Sequence, residues 1–410
     1  MIPVKCKWYN LYMNRSVIHI DVNSAYLSWT AVEMLKNGAK EDIRLFPSAI
    51  AGDPEKRHGI ILAKSEPAKK FKIQTAMTLA EARRRCPDLK IYPPSHGLYQ
   101  EYSDRLYLLL SEYTDVIERF SIDECWLEYT GSERIFGTPE EAAKQISERV
   151  KKELGFTVNI GISTNKLLSK MASEMQKPDR IHTLYPDEIE EKMWPLPIRE
   201  LFGVGRATAG ALAKLGMSTI GDAAKADTKL LISALKPAMG QLVHDRANGL
   251  DDSPVITEEE NERKVIGHSD TTSEDVKTEE EALYHLLSLS ERVGRRLRKA
   301  EKRAYVVTVQ LKNSAFKTYR HQKKLPAPIS STSAIYETAA ELFSEMWKGD
   351  AIRLFGVSVS DLRDPGEEES QLSLFDNEED NKQKDILDET QDRIRERFGK
   401  DAITRATLKK

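Results

Sequence analysis

The sequence predicts a multidomain protein of mixed α/β and α+β class, and three observations carry that expectation. Strand-length apolar runs alternate with helix-period segments between residues 17 and 172, the signature of an α/β layer. A polar, acidic stretch at 251–262 interrupts the chain as a linker would. Beyond it, a long amphipathic helix and alternating strands form a region of very different charge. The 410 residues suffice for two to four domains. Hydrophobic residues at 40% and charged residues at 31% are ordinary for a globular protein. No apolar run approaches the ~20 residues of a membrane span. Cys6, Cys86 and Cys125 are too scattered for a disulfide framework or a zinc finger, and they fit a cytoplasmic location.

The net charge of −3 conceals two opposed blocks. Residues 292–324 hold twelve Lys/Arg against Glu301 alone, a local field suited to a polyanion. Residues 361–389 hold twelve Asp/Glu against Arg363, Lys382 and Lys384.

In chain order, residues 1–15 read as an N-terminal extension, and Val17–Val22 as a buried strand ending in Asp21. A helix capped by Asn23 or Ser24 follows, with Tyr26 in its first turn. An acid at a strand end beside a helix N-terminus can hold a metal and a phosphate together. Residues 43–92 form a small α/β insert, with a strand at 60–63, a lysine cluster (Lys64, Lys69, Lys70, Lys72) and a helix at 78–86. That cluster alone reads as a solvated face. Residues 98–119 are expected to be one long helix.

The stretch Phe120-Ser121-Ile122-Asp123-Glu124-Cys125-Trp126 then places two adjacent carboxylates in an apolar run. In a regular strand Asp123 and Glu124 would face opposite ways, so a shared site requires a turn there. Three carboxylates at buried strand ends suit a divalent cation such as Mg²⁺, and equally a capping Asp with a buried salt bridge. A helix at 139–154, a strand at 156–162 and a helix from Asn165 to Ala172 complete the layer, ending at Lys177-Pro178. Leu201-Phe202-Gly203-Val204-Gly205, opening one helix before a second begins at Thr219, has a helix-hairpin-helix pattern. The backbone N–H groups around Gly203 and Gly205 can grip a nucleic-acid phosphate without reading sequence. The helix at 278–302 turns Arg295, Arg296, Arg298 and Lys299 outward, where they can lie along a duplex backbone. After Asp361 the composition is that of a disordered acidic tail, with a short helix at 384–398 and one apolar island, Gln371-Leu372-Ser373-Leu374-Phe375, suited to a partner's pocket.

These elements, in this order, resemble the Y-family translesion DNA polymerases of the bacterial polymerase IV branch, over roughly residues 16–376. The resemblance rests on Ile20–Tyr26, Ser121–Glu124, Gly161–Ser173, Lys177-Pro178, the glycine hairpin and the 371–375 peptide. It implies a right-hand polymerase. The palm would be 16–40 and 93–180, the fingers 41–92, the thumb 181–250, the linker 251–262, the little finger 263–363 and the acidic tail 364–410. It implies template-directed, low-fidelity DNA synthesis across damaged template, using two Mg²⁺ ions, deoxynucleoside triphosphates and primer–template DNA. Asp21, Asp123 and the backbone of Val22 would hold metal, and Glu124 would complete the site beside the primer terminus. Tyr26 would exclude a ribose 2′-hydroxyl, and Lys177 would contact the triphosphate. Gln371, Leu372, Leu374 and Phe375 would bind a sliding clamp, and the chain would act as a monomer. Two departures stand out. Ala25 occupies a position usually aromatic, and Ser65-Glu66-Pro67-Ala68-Lys69 replaces a Tyr-x-x-Arg pattern, leaving Lys69 in place of the arginine. The other readings are a non-catalytic DNA- and clamp-binding relative and a hairpin-containing repair nuclease.

Overall fold

The computed structural model describes residues 15–53, 55, 57, 59–260, 264–366, 378–399, 402–403 and 405. The chain divides into two compact units, Met1–Ala51 with Ile60–Asn261, and Gly52–Gly59 with Glu262–Lys410.

The first unit is built on a five-stranded sheet ordered β5-β6-β1-β7-β8. Its central strand is β1 (Val17–Val22), every residue of which is buried. Helix α1 (Ala25–Lys36) leads to a second, three-stranded sheet of β2 (Ser48–Ala51), β3 (Ile61–Lys64) and β4 (Lys90–Tyr92), ordered β3-β2-β4. Two short helices, α2 (Glu66–Lys69) and α3 (Leu79–Arg85), lie between β3 and β4. Helix α4 (His96–Leu110) ends well before residue 119, contrary to the sequence expectation of one long helix. Ile117–Arg119 is instead strand β5, which pairs with β6 (Glu124–Glu128). The break has a local cause, because Thr114 Oγ1 bonds the Glu128 carbonyl and the Val116 N–H, capping a turn before the β-branched pair Val116-Ile117. Helices α5 (Glu133–Phe136) and α6 (Pro139–Arg149), strand β7 (Val158–Ser163), helix α7 (Lys166–Met175) and strand β8 (Ile181–Thr183) complete the layer. Alternation along β1 sends Ile18, Ile20 and Val22 into the core with Trp29, Tyr102, Leu106, Ile146 and Phe156. His19 and Asp21 point the other way, toward α7. That helix lies directly on the sheet because residue 161 is glycine; a Cβ there would stand 1.9 Å from the Ser169 carbonyl oxygen.

Four helices, α8 (Arg206–Lys214), α9 (Ile220–Lys225), α10 (Thr228–Leu235) and α11 (Pro237–Ala247), share a core with α7 around Leu168, Leu212, Ile220 and Leu231.

The second unit is a four-stranded antiparallel sheet, ordered β11-β10-β12-β9, from β9 (Val265–Val276), β10 (Arg303–Asn313), β11 (Thr318–Ile329) and β12 (Ile352–Arg363). Helices α12 (Glu279–Lys299) and α13 (Thr332–Met346) bury Leu286, Val293, Leu297, Ile335 and Phe343 against it. The last element, α14 (Glu378–Phe398), contains the helix expected at 384–398 and begins earlier, in a stretch whose composition suggests disorder. Asp388 is buried beneath it, accepting from Arg298, Arg405 and the backbone N–H of Thr332 at the start of α13. Asp392 also pairs with Arg298, and Asp385 with Arg303. The acidic and basic blocks therefore neutralise each other in part within one unit. Among the described residues, no helix is long and apolar enough to cross a membrane.

Candidate active site

Strands β1 and β6 pair antiparallel with Asp21 opposite Glu124, and directly opposed residues share a face. β6 begins at Glu124, and residues 120–123 form a tight turn in which the Phe120 and Ser121 N–H groups donate to the Glu124 carbonyl at 3.1 and 3.2 Å. The backbone thus leaves strand geometry at the Asp123–Glu124 step, as a shared site requires. The Val22 N–H donates to the Asp123 carbonyl at 3.0 Å, locking the turn to the end of β1.

Asp21, Glu124 and Glu174 each bring a carboxylate oxygen within 4.8 Å of the others. Glu174, in the last turn of α7, was missed at the level of sequence; its spacing of four from Lys170 and three from Lys177 was the available signal. Lys177 Nζ bridges Asp21 at 3.1 Å and Glu174 at 3.0 Å, while Lys170 Nζ holds Glu124 at 2.7 Å. Burial raises the Asp21 carboxyl to about 8; Lys177 opposes the rise, and Glu124 and Glu174 add to it. Asp123 lines the same cleft, but its carboxylate accepts from Ser121 Oγ at 2.6 Å and is not among the three that converge.

His19 lies beneath the cluster, fully buried. Its Nδ1 is 2.8 Å from Ser173 Oγ, whose own proton goes to the Lys170 carbonyl. Nδ1 therefore carries the hydrogen, and Nε2 presents a bare lone pair 3.9 Å from Glu124 with no hydrogen-bond partner. Burial, then Lys170 and Lys177, hold the ring well below the ordinary histidine range, so it is neutral. Three hard oxygen donors, one of them on the buried and raised Asp21 carboxyl, are a set that a divalent cation fits.

Opposite the acids, a cleft of about 450 Å³ is walled by Leu62, Ala63, Lys64, Lys69 and Thr75, and is bounded by Val22, Ala25, Tyr26 and Lys177. Tyr26 lies flat on the buried ring of Tyr99. Lys69 pairs with Glu66 at 2.5 Å. Lys64 and Thr75 also escaped sequence reasoning as cleft residues.

The remaining candidates lie elsewhere. Gly203 has φ +90°, and a Cβ on it would meet the guanidinium of Arg246, which donates to the Phe202 carbonyl. Gly205 caps α8 in open space. On α12, Arg296 and Lys299 are exposed, Arg296 donating to the Gly267 carbonyl, Arg295 is half-buried, and Arg298 is taken up by Asp388 and Asp392. For Arg298 the reason is plain: its side chain points at α14 and is largely covered. Gln371, Leu372, Leu374 and Phe375 lie outside the described residues.

Comparison with known proteins bears on what this cleft is for. Residues 20–174 match the impB/mucB/samB family model, residues 186–217 its helix-hairpin-helix motif and residues 263–374 its C-terminal domain. DNA polymerase IV of Clostridium acetobutylicum is 46% identical over 97% of this chain and 98% of its own length. DNA polymerase IV of Alkaliphilus oremlandii is 40% identical over 97% and 99%, and DNA polymerase IV 1 of Bacillus subtilis 35% over 97% and 94%. Among solved structures, a Y-family DNA polymerase chimera superposes with a TM-score of 0.73 at 21% identity, covering 85% of this chain and all of its own, and so shares the fold.

Proposed function

Because the chain belongs to the impB/mucB/samB family and is a DNA-directed DNA polymerase, we propose that it copies damaged template at low fidelity by nucleotidyl transfer at the Asp21–Glu124 cluster. The observation that carries this reading is a single cleft in which converging carboxylates face lysines beside the ring of Tyr26. Family membership implies a divalent metal. In this reading two Mg²⁺ ions, held by Asp21, Asp123, Glu124 and the carbonyl of Val22, would supply Lewis-acid stabilisation of the transferring phosphoryl group.

The chain's own residues do the rest. The primer 3′-hydroxyl gives up its proton to solvent, and its oxygen forms a bond to the α-phosphorus of the nucleotide as the bond to pyrophosphate breaks. Lys177, at the mouth of the acid cluster, orients the triphosphate and offsets charge on the leaving pyrophosphate. Tyr26 closes the sugar side of the cleft and excludes a 2′-hydroxyl. Ala25 and Ala63 supply small side chains beside it, and such a roomy wall tolerates a distorted base pair. The N–H groups around Gly203 and Gly205, together with Arg295 and Lys299, hold the primer–template backbone. Residues 371–375 tether the enzyme to a sliding clamp, and the enzyme works as a cytoplasmic monomer.

Primer extension on undamaged and lesion-bearing templates tests the proposal. Wild-type protein lengthens the primer only with nucleotides present, and Asp123→Ala loses at least about 100-fold, the scale of a group acting in the transition state. Shortening without nucleotides would establish a nuclease, and binding without extension a non-catalytic relative.

A further inference from the structure

Three lysines line the cleft, and their surroundings differ. Lys177 lies between Asp21 and Glu174. Lys69 is paired to Glu66 one turn away. Lys64, the last residue of β3, instead donates to the neutral hydroxyl of Thr75 at 3.2 Å, and no carboxylate lies within ion-pair distance of it among the described residues.

That arrangement is costly. Lys64 is half-buried, and burial first and Lys69 second draw its ammonium below the ordinary lysine range, with Glu66 only partly opposing them. A partly desolvated ammonium beside a second cation, with only a hydroxyl for a partner, lacks a counter-ion. Its position supplies the missing chemistry, because β3 is an edge strand of its sheet and Lys64 lines the same cleft as the acid cluster and Lys177. An anion seated between that wall and Lys177 would meet cations from both sides.

We propose that Lys64, rather than Lys69, is the cation with which this wall holds the phosphates of the nucleotide substrate. Lys69 is second in rank because a phosphate must compete with Glu66 for it. The inference rests on the polymerase reading above and names the residue that carries the phosphate contact.

The test is nucleotide binding without turnover, read by fluorescence on a primer–template ending in a dideoxynucleotide. Lys64→Met weakens deoxynucleotide binding about 10- to 100-fold, the worth of one hydrogen bond between charged groups. Lys64→Arg retains most of the affinity, and Lys69→Met loses less than Lys64→Met. Binding of inorganic pyrophosphate falls in parallel, and affinity for primer–template is preserved. A larger loss in Lys69→Met, unchanged nucleotide binding in Lys64→Met, or a matching loss of primer–template affinity would overturn the assignment. Failure of the wild-type protein to extend a primer would instead remove the polymerase reading on which it stands.

Discussion

Tyr26 and Tyr99 are stacked with ring centroids 4.2 Å apart and planes within 9° of parallel. Tyr99 is itself fixed: it is fully buried, meets Trp29 at a tilt and His96 edge-on, and lies with its hydroxyl 3.2 Å from Thr30 Oγ1. The residue proposed to sense the sugar thus rests on a ring with little freedom to move.

The stack predicts that Tyr99 affects sugar selectivity without touching nucleotide. An offset aromatic pair contributes about 0.5–1.5 kcal/mol beyond its buried area. Tyr99→Leu should therefore relax discrimination against ribonucleotides by up to about tenfold. Tyr26→Ala should relax it much further. Ratios of kcat/KM for matched ribo- and deoxynucleotides measure both, and unaltered ratios in Tyr26→Ala would remove the gate assignment.

The raised Asp21 carboxyl predicts coupling between metal and pH. With its folded value near 8 and its ordinary value at 3.8, Asp21 binds a proton more tightly in the fold than in the unfolded chain. Its contribution to stability is complete below about 4 and is lost as pH climbs toward 8. A divalent cation needs the ionised carboxylate, so its affinity should rise through the same window and binding should release a proton near pH 7. Calorimetry in buffers of different ionisation heat counts that proton. Asp21→Asn should release none, and a wild-type protein that releases none would contradict the buried, protonated carboxyl.

The α14 clasp predicts local rather than global instability. Over residues 385–398 the acids Asp385, Asp388 and Asp392 meet arginines, while Ile386 and Leu387 point to solvent. In that stretch charge rather than apolar burial fastens the helix. Removing one member of a buried pair costs about 3–5 kcal/mol, because the partner is left uncompensated. Asp388→Ala should expose residues 385–398 to hydrogen exchange while β1 and α7 keep their protection. Unchanged exchange in α14 would mean that other contacts hold it.

Much of this was legible in the sequence where periodicity and burial agree. β1, the turn at 120–123 and the two helices flanking Gly216 stand where apolar spacing and turn chemistry put them. The misses have physical reasons. Ile117–Arg119 is too short to reveal a strand after a strongly periodic helix. β11, with Lys323, Lys324 and two prolines, is an edge strand that need not alternate. Arg298 looked solvent-facing because its acidic partners lie some 90 residues on. Glu174 and Lys64 acquire meaning only when α7 and β3 meet across the cleft, a tertiary fact that no local pattern encodes.

The same tertiary fact sets up a contest between two carboxylates for the third place in the proposed metal site. Sequence resemblance assigns it to Asp123, whereas in the structure Glu174 is the acid that converges with Asp21 and Glu124. Asp123 is held back by one hydrogen bond from Ser121. It already lines the same cleft, which keeps it a candidate for that place. Glu174 instead shares Lys177 with Asp21, which places it to keep that lysine if a cation claims Asp21. Manganese binding followed by electron paramagnetic resonance separates the two roles. If Asp123 is a ligand, Asp123→Ala weakens binding by tenfold or more, about 1.4 kcal/mol. Glu174→Gln then changes metal affinity less and raises the KM for nucleotide, because Lys177 loses its second anchor. The reverse order, with Glu174→Gln stripping the metal and Asp123→Ala retaining it, would transfer the third ligand to α7.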